Sequence, residues 1–105
     1  MPSIMNISDL LNVNPVLVDR IRLSVMAYLA AAQEPVTFKQ LIDELELTKG
    51  NLSSHMRKLE DAELVVVEKQ FVGRRPQTTY QCTAAGKQEM NDYLAAVEAV
   101  LKQAL

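Results

Sequence analysis

Residues 45–64 read LELTKGNLSSHMRKLEDAEL, and the rest of the chain is organised around them. Thr48 is a candidate N-cap. Leu47 precedes it and Leu52 lies four positions into the helix, the placement of a hydrophobic staple. At about 100° per residue, Leu52, Met56 and Leu59 share one narrow stripe, while Gly50, Ser54 and Arg57 point roughly opposite, with Asn51, Ser53 and Lys58 on the flanks. The outer face is therefore small, polar and basic. Short side chains let such a helix approach the floor of a DNA major groove about 12 Å wide, and Arg and Asn have hydrogen-bonding geometry suited to base edges. The expectation is a recognition helix.

Size and composition bound what else the chain can be. Its 105 residues, 49% of them apolar, suffice for one domain, 1–105, with a modest core, and are too few for a typical two-domain enzyme. The opening MPSIMNISDL lacks a basic start followed by a long apolar run, and no apolar segment approaches the roughly 18 residues of a membrane helix. A soluble cytoplasmic protein with no membrane partner is expected. The lone cysteine, Cys82, makes neither an internal disulfide nor a thiolate cluster and reads as a small buried side chain.

The formal charge of −2 says little for a nucleic-acid partner until the charges are placed along the chain. Seven of the eleven basic residues fall in residues 47–59 (Lys49, Arg57, Lys58) and 69–88 (Lys69, Arg74, Arg75, Lys87), and neither window contains an acid. Glu60, Asp61 and Glu63 gather at the far end of the helix instead. The positive footprint is local.

In chain order, Ser8 can cap a short turn through Leu11. Asn14 followed by Pro15 reads as the start of a first long helix, with Leu17, Ile21, Val25 and Leu29 at helical spacing. Pro35 marks a break. Thr37 and Gln40 then stand in capping-box spacing, Val36 and Leu41 form another staple, and Phe38, Leu41, Ile42 and Leu45 supply the buried side of a short helix ending near Glu46. Two short helices so tightly joined make a helix-turn-helix, about 37–62. After Leu64 the pattern becomes extended. VVVEKQFV alternates as a strand, Gly73, Arg74, Arg75 and Pro76 form a turn, and TTYQC returns, giving a hairpin over about 65–82 with two arginines at its tip. Thr83 can cap a terminal helix, about 84–104, whose Met90, Leu94, Val97 and Leu101 form a stripe that calls for a partner. The fold class expected is mainly α with a small antiparallel β-hairpin.

Helix, helix-turn-helix, arginine-tipped hairpin and terminal helix together are the winged helix-turn-helix arrangement. RIRLSVMAYL, FKQLIDELELTKGNLSSHMRKLEDAELV and KQFVGRRPQTTYQCTAAGK resemble small prokaryotic transcriptional regulators of the MarR/ArsR-like winged-helix group, over roughly residues 17–94. The resemblance implies that the segment at 48–59 enters the major groove, that the hairpin is the wing, and that terminal helices make a homodimer. It implies DNA contacts at Thr48, Lys49, Asn51, Ser53, Ser54 and Arg57 on the helix and at Arg74 and Arg75 on the wing. From their chemistry, Arg57 and Asn51 suit base reading, and Lys49, Lys58 and the wing arginines suit phosphates. Burial shared between the two ends of the chain across a twofold axis would use Leu17, Ile21, Met90, Leu94, Val97 and Leu101. Two departures narrow the likeness. Metal-sensing members carry cysteines in or near the helix that here reads FKQLIDELE, so no metal is expected. Larger members have extra helical length around a ligand pocket, so neither cofactor nor bound effector is expected.

Plainer readings stand beside these. A winged helix can dock on protein without touching DNA, and Arg74 and Arg75 can be an ordinary solvated turn. Gly50 can be tolerated in a first helical turn or can serve close backbone approach. His55, at the boundary of core and surface, has no second histidine or cysteine beside it and reads as structural. Ser53 and Ser54 lack a paired base, and Asp43, Glu44 and Glu46 read as an exposed helix face. No Gly-rich phosphate-loop spacing occurs, and catalysis is not expected.

Overall fold

Asn14 and Pro15 do form a capping pair, but they cap a single 3-10 turn. In the computed structural model, which describes residues 7–105, Val16 N–H donates to Asn14 Oδ1 at 3.0 Å and the turn ends at Leu17. Val18 then adopts ψ 63°, which no helix continues through. The first long helix starts afresh at Asp19, whose Oδ1 accepts from the Ile21 and Arg22 N–H groups at 2.9 and 3.0 Å. Helix α1 is Arg20–Ala31, so the expected start at residue 15 is corrected. A further 3-10 segment, Ile7–Asn12, precedes it. The reading of the first six residues as lacking a leader lies outside the described residues.

The central elements follow their sequence signals closely. Thr37 N–H donates to Gln40 Oε1 at 2.8 Å and Gln40 N–H to Thr37 Oγ1 at 3.0 Å, the reciprocal capping box that opens α2, Phe38–Leu45. Glu46, with φ 53°, turns the chain through the left-handed region, and Leu47 N–H closes the turn on the Ile42 carbonyl at 3.1 Å. Thr48 Oγ1 then accepts from Asn51 N–H at 3.2 Å and starts α3, Lys49–Asp61. Leu52, Met56 and Leu59 are buried on its inner side as the stripe requires. Each such side chain stabilises the fold by about 1.5–3 kcal/mol relative to exposure.

The hairpin is tighter than expected and carries a third strand. Strand β1 (Val36–Thr37), β2 (Val65–Val72) and β3 (Arg75–Cys82) form an antiparallel sheet in the order β1-β3-β2. Val72 pairs with Arg75, leaving only Gly73 and Arg74 in the turn. Gly73 has φ 66° and Arg74 does not share a positive φ, the type II′ pattern that matches strand twist. Arg75 and Pro76 therefore belong to β3. Pro76 is tolerated there because β1 pairs only with Thr79 and Tyr80, so its stretch of β3 is locally an edge.

Helix α4, Ala84–Ala104, is bound tightly at its start. Thr83 Oγ1 accepts from Gly86 N–H at 2.9 Å and donates to the Glu63 carbonyl at 2.8 Å, while Thr83 N–H donates to the Leu64 carbonyl at 3.0 Å. A Cβ on Gly86 would collide with the Leu64 carbonyl oxygen, Cys82 Sγ and the Met26 methyl group. Only glycine allows this approach. Met90 faces the core, yet Ala96 and Ala99 are also buried, and Ala99 lies about half a turn round the helix from Met90. The helix packs against α1 and against the Ile7–Asn12 segment. The expected stripe is thus divided: Met90 is used by the chain's own core, whereas Leu94 and Leu101 are 55% and 54% exposed. Leu17 has no exposed surface, and with α1 packed against α2, α3, α4 and β3, the first helix is covered within the chain. Leu17 and Met90 therefore have little to offer a partner. Among the described residues no helix is long and apolar enough to cross a membrane.

Candidate nucleic-acid interface

The outward side of α3 presents Lys49, Gly50, Asn51, Ser53, Ser54, Arg57 and Lys58, all exposed, with the capping Thr48 exposed at its head. Burial of the Leu52, Met56 and Leu59 stripe fixes the helix about its axis, so this polar face cannot rotate away from solvent. The face is fixed by the core.

Two clefts join α3 to the wing. One, of about 700 Å³, lies between the start of the helix-turn-helix and the free edge of β3, and it brings Lys39, Lys49 and Arg75 round a floor of Phe38, Ile42 and Pro76. Asp43 also lines it, with its Oδ2 2.8 Å from Lys39 Nζ in an exposed pair. The other cleft runs between α3 and the inner face of the hairpin, where Ser53, Arg57 and Glu60 stand across from Lys69, Thr78 and Tyr80. Ridges on both sides of a groove, each carrying cations, suit a polyanionic backbone lying between them. Glu60 is the exception, one helical turn past Arg57. Asn51 lines a different recess, with Arg20, Ser24 and Glu46. Lys58 and Arg74 are exposed and line neither cleft. Lys39 and Lys69 line these clefts without any sequence signal that singles them out. Lys39 is isolated among acids in the sequence, and Lys69 is one of several polar strand residues until the pairing shows its face.

The clefts rest on rigid supports. The Phe38 and Tyr80 rings, 6.4 Å apart between centroids, tie α2 to the centre of the sheet. Burial and the nearby Glu60 raise the Tyr80 hydroxyl above its usual range, so it stays neutral. Cys82 is half-buried, and burial pushes its thiol up against the opposing pull of Lys87. A protonated thiol packed on Gly86 is a space-filling group. His55 is bonded to α1 through Arg22, consistent with a structural role. Among the described residues no three His, Cys, Asp or Glu side chains converge as a metal site requires.

Residues 21–101 match the family profile of the winged helix DNA-binding domain. The chain belongs to that family. As a winged-helix regulator it is not an enzyme. The solved structure of a transcriptional regulator homologue from Pyrococcus horikoshii OT3 is similar with a TM-score of 0.81 and 32% identity, covering 91% of this chain and 96% of that one. An uncharacterized protein of Methanocaldococcus jannaschii is 31% identical over 74 residues, which is 70% of this chain and 79% of its own. The MepR–DNA complex of S. aureus shares the fold at 17% identity and a TM-score of 0.72, covering 85% of this chain and 72% of that one. In this winged-helix chain the second helix of the helix-turn-helix is α3 and the wing is the β2–β3 hairpin.

Proposed function

We propose that this winged-helix regulator is a cytoplasmic homodimer that binds double-stranded DNA sequence-specifically, without metal or cofactor. Each protomer lays α3 in a major groove, with Arg57 and Asn51 toward base edges and Thr48, Lys49, Ser53, Ser54 and Lys58 at the groove walls and phosphates. Arg74 and Arg75 of the wing reach the adjacent backbone or minor groove. The observation that carries this reading is the cleft between α3 and the hairpin, with Arg57 on one wall and Lys69 on the other. One strand of a duplex would run along it while the helix and the wing sit in neighbouring grooves.

The dimer reading is supported by α4, where Leu94 and Leu101 stand bare two turns apart with half-buried Val97 between them. An α-helical seam of this spacing buries well against its own twofold copy. Half-sites would then lie one or more turns apart, about 34 Å for one turn.

Titration of labelled genomic duplexes against salt tests the DNA reading. A dimer neutralising six or more phosphates loses several decades of affinity between roughly 50 and 200 mM salt. Flat salt dependence, or no retention at low salt, sinks the DNA reading and leaves docking on an acidic protein surface as the better account.

A further inference from the structure

The wing carries an aromatic side chain that the fold does not use. Phe71 is 74% exposed and pairs across the hairpin with Pro76, next to the Val72 and Arg75 pair that closes the turn. Successive strand side chains alternate faces, so Phe71 shares its face with Val67 and Lys69, and Pro76 shares that face with Thr78 and Tyr80. Those four neighbours line the cleft on α3. Phe71 and Pro76 therefore continue the inner wall of that cleft toward the tip. Beyond Thr79, the hairpin extends roughly 14 Å past the three-stranded part of the sheet at about 3.4 Å per residue. No core contact needs an aromatic ring there.

From this geometry we propose that Phe71, backed by Pro76, is an apolar minor-groove contact: its ring packs on the deoxyribose walls beside the major groove occupied by α3. This deepens the proposed function and rests on it. Charge complementarity selects DNA as the occupant. The ring lies between Lys69 and the tip arginines Arg74 and Arg75, in a stretch free of acids from 69 to 88, so whatever covers it must also accept a row of cations. Apolar side chains flanked by arginine are how proteins grip the narrow minor groove, against its sugars or wedged between base steps. Arginines favour the enhanced negative potential of a narrow, A·T-rich groove. The contact is consequently selective for A·T-rich flanks, outside the bases that α3 reads.

The test compares wild type, Phe71→Ala and Phe71→Leu on duplexes with a constant centre and either A·T-rich or G·C-rich flanks. Affinity is read by fluorescence polarisation over a salt series, with sedimentation in parallel. Phe71→Ala is expected to weaken binding to the A·T-flanked duplex about tenfold, equivalent to about 1.4 kcal/mol. Its salt slope should stay at the wild-type value, because no phosphate contact is lost. Phe71→Leu should recover part of the affinity, and a minor-groove drug should weaken wild type more than Phe71→Ala. Wild-type affinity for Phe71→Ala on both duplexes overturns the contact while leaving the DNA reading intact. A change in sedimentation with unchanged DNA affinity also overturns it and assigns Phe71 to a second copy of the chain. If wild type itself shows no salt-sensitive binding to duplex, the functional reading fails first and this contact with it.

Discussion

His55 on α3 and Arg22 on α1 meet side chain to side chain at 3.0 Å, although they lie 33 residues apart. The bond joins Arg22 Nη1 to His55 Nδ1. Arg22 is held in place by donating from Nε to the Val16 carbonyl at 2.6 Å. Asp19 Oδ1 lies 3.7 Å from the same ring nitrogen. The outward face of α3 is thus oriented from behind, by a polar clasp as well as by its apolar stripe. Replacing either partner leaves the other half-satisfied. His55→Ala and Arg22→Ala should each cost about 1–2 kcal/mol in urea denaturation, and the double variant should cost clearly less than their sum. Strict additivity would mean that the contact carries no coupling.

The same cluster gives a pH dependence with a definite sign. The Arg22 backbone N–H is the main influence holding the Asp19 carboxyl below the usual carboxylate range. Desolvation opposes it, and the Arg22 guanidinium, His55 and the Ile21 N–H assist. A depressed carboxyl contributes stability that is fully present above its unfolded value, about 3.9, and is lost as pH falls through the lower folded value. Stability should therefore drop below about pH 4, with a shallower drop in Asp19→Asn, since Asn keeps the cap. Urea midpoints measured through that range decide it. Equal slopes for the two proteins would remove Asp19 from the account.

Two glycines predict opposite outcomes for the same substitution. Nothing stands within 4 Å of a Cβ built on Gly50, whereas one on Gly86 meets the Leu64 carbonyl. Gly50→Ala should raise stability, by up to about 1 kcal/mol of helix propensity, and weaken DNA binding if α3 lies as close to the bases as proposed. Gly86→Ala should destabilise by about 1–3 kcal/mol through overpacking. Thermal melts and duplex titrations on both variants check the pair, and unchanged DNA affinity for Gly50→Ala would count against close backbone approach.

Leu94→Arg and Leu101→Arg place charge on side chains already more than half exposed. The protomer fold should survive, and sedimentation should shift from dimer to monomer at micromolar concentration. DNA affinity should fall with it, because two linked half-sites bind far more tightly than one. A wild-type monomer, or variants that sediment as wild type does, would move the interface elsewhere.

How much of this was legible in the chain depended on how many signals coincided. For α3, cap, staple and stripe all agreed, and both its ends and its orientation emerged. At residues 14–19 one strong signal misled: Asn14 with Pro15 is a real cap, but only of one 3-10 turn, and the break at Val18 has no marker of its own. Strand β1 is two residues long, too short for any alternation to register, so Val36 was visible only as half of a staple. The stripe on α4 is apolar along its length, yet periodicity cannot tell which part the chain covers itself and which it leaves bare. Pairings across the fold, such as Arg22 with His55 or Arg57 facing Lys69, depend on how helices and sheet pack. The sequence alone held the residues and not their meeting.

Thr83 accepts from the first turn of α4 and donates to the carbonyl of Glu63, which turns the chain with φ 61° two residues after α3 ends. With Gly86 seated on the neighbouring Leu64 carbonyl, no slack separates the last helix from that corner. A rigid corner of this kind would carry a rotation of the last helix into the end of α3, as between the arms of one crank.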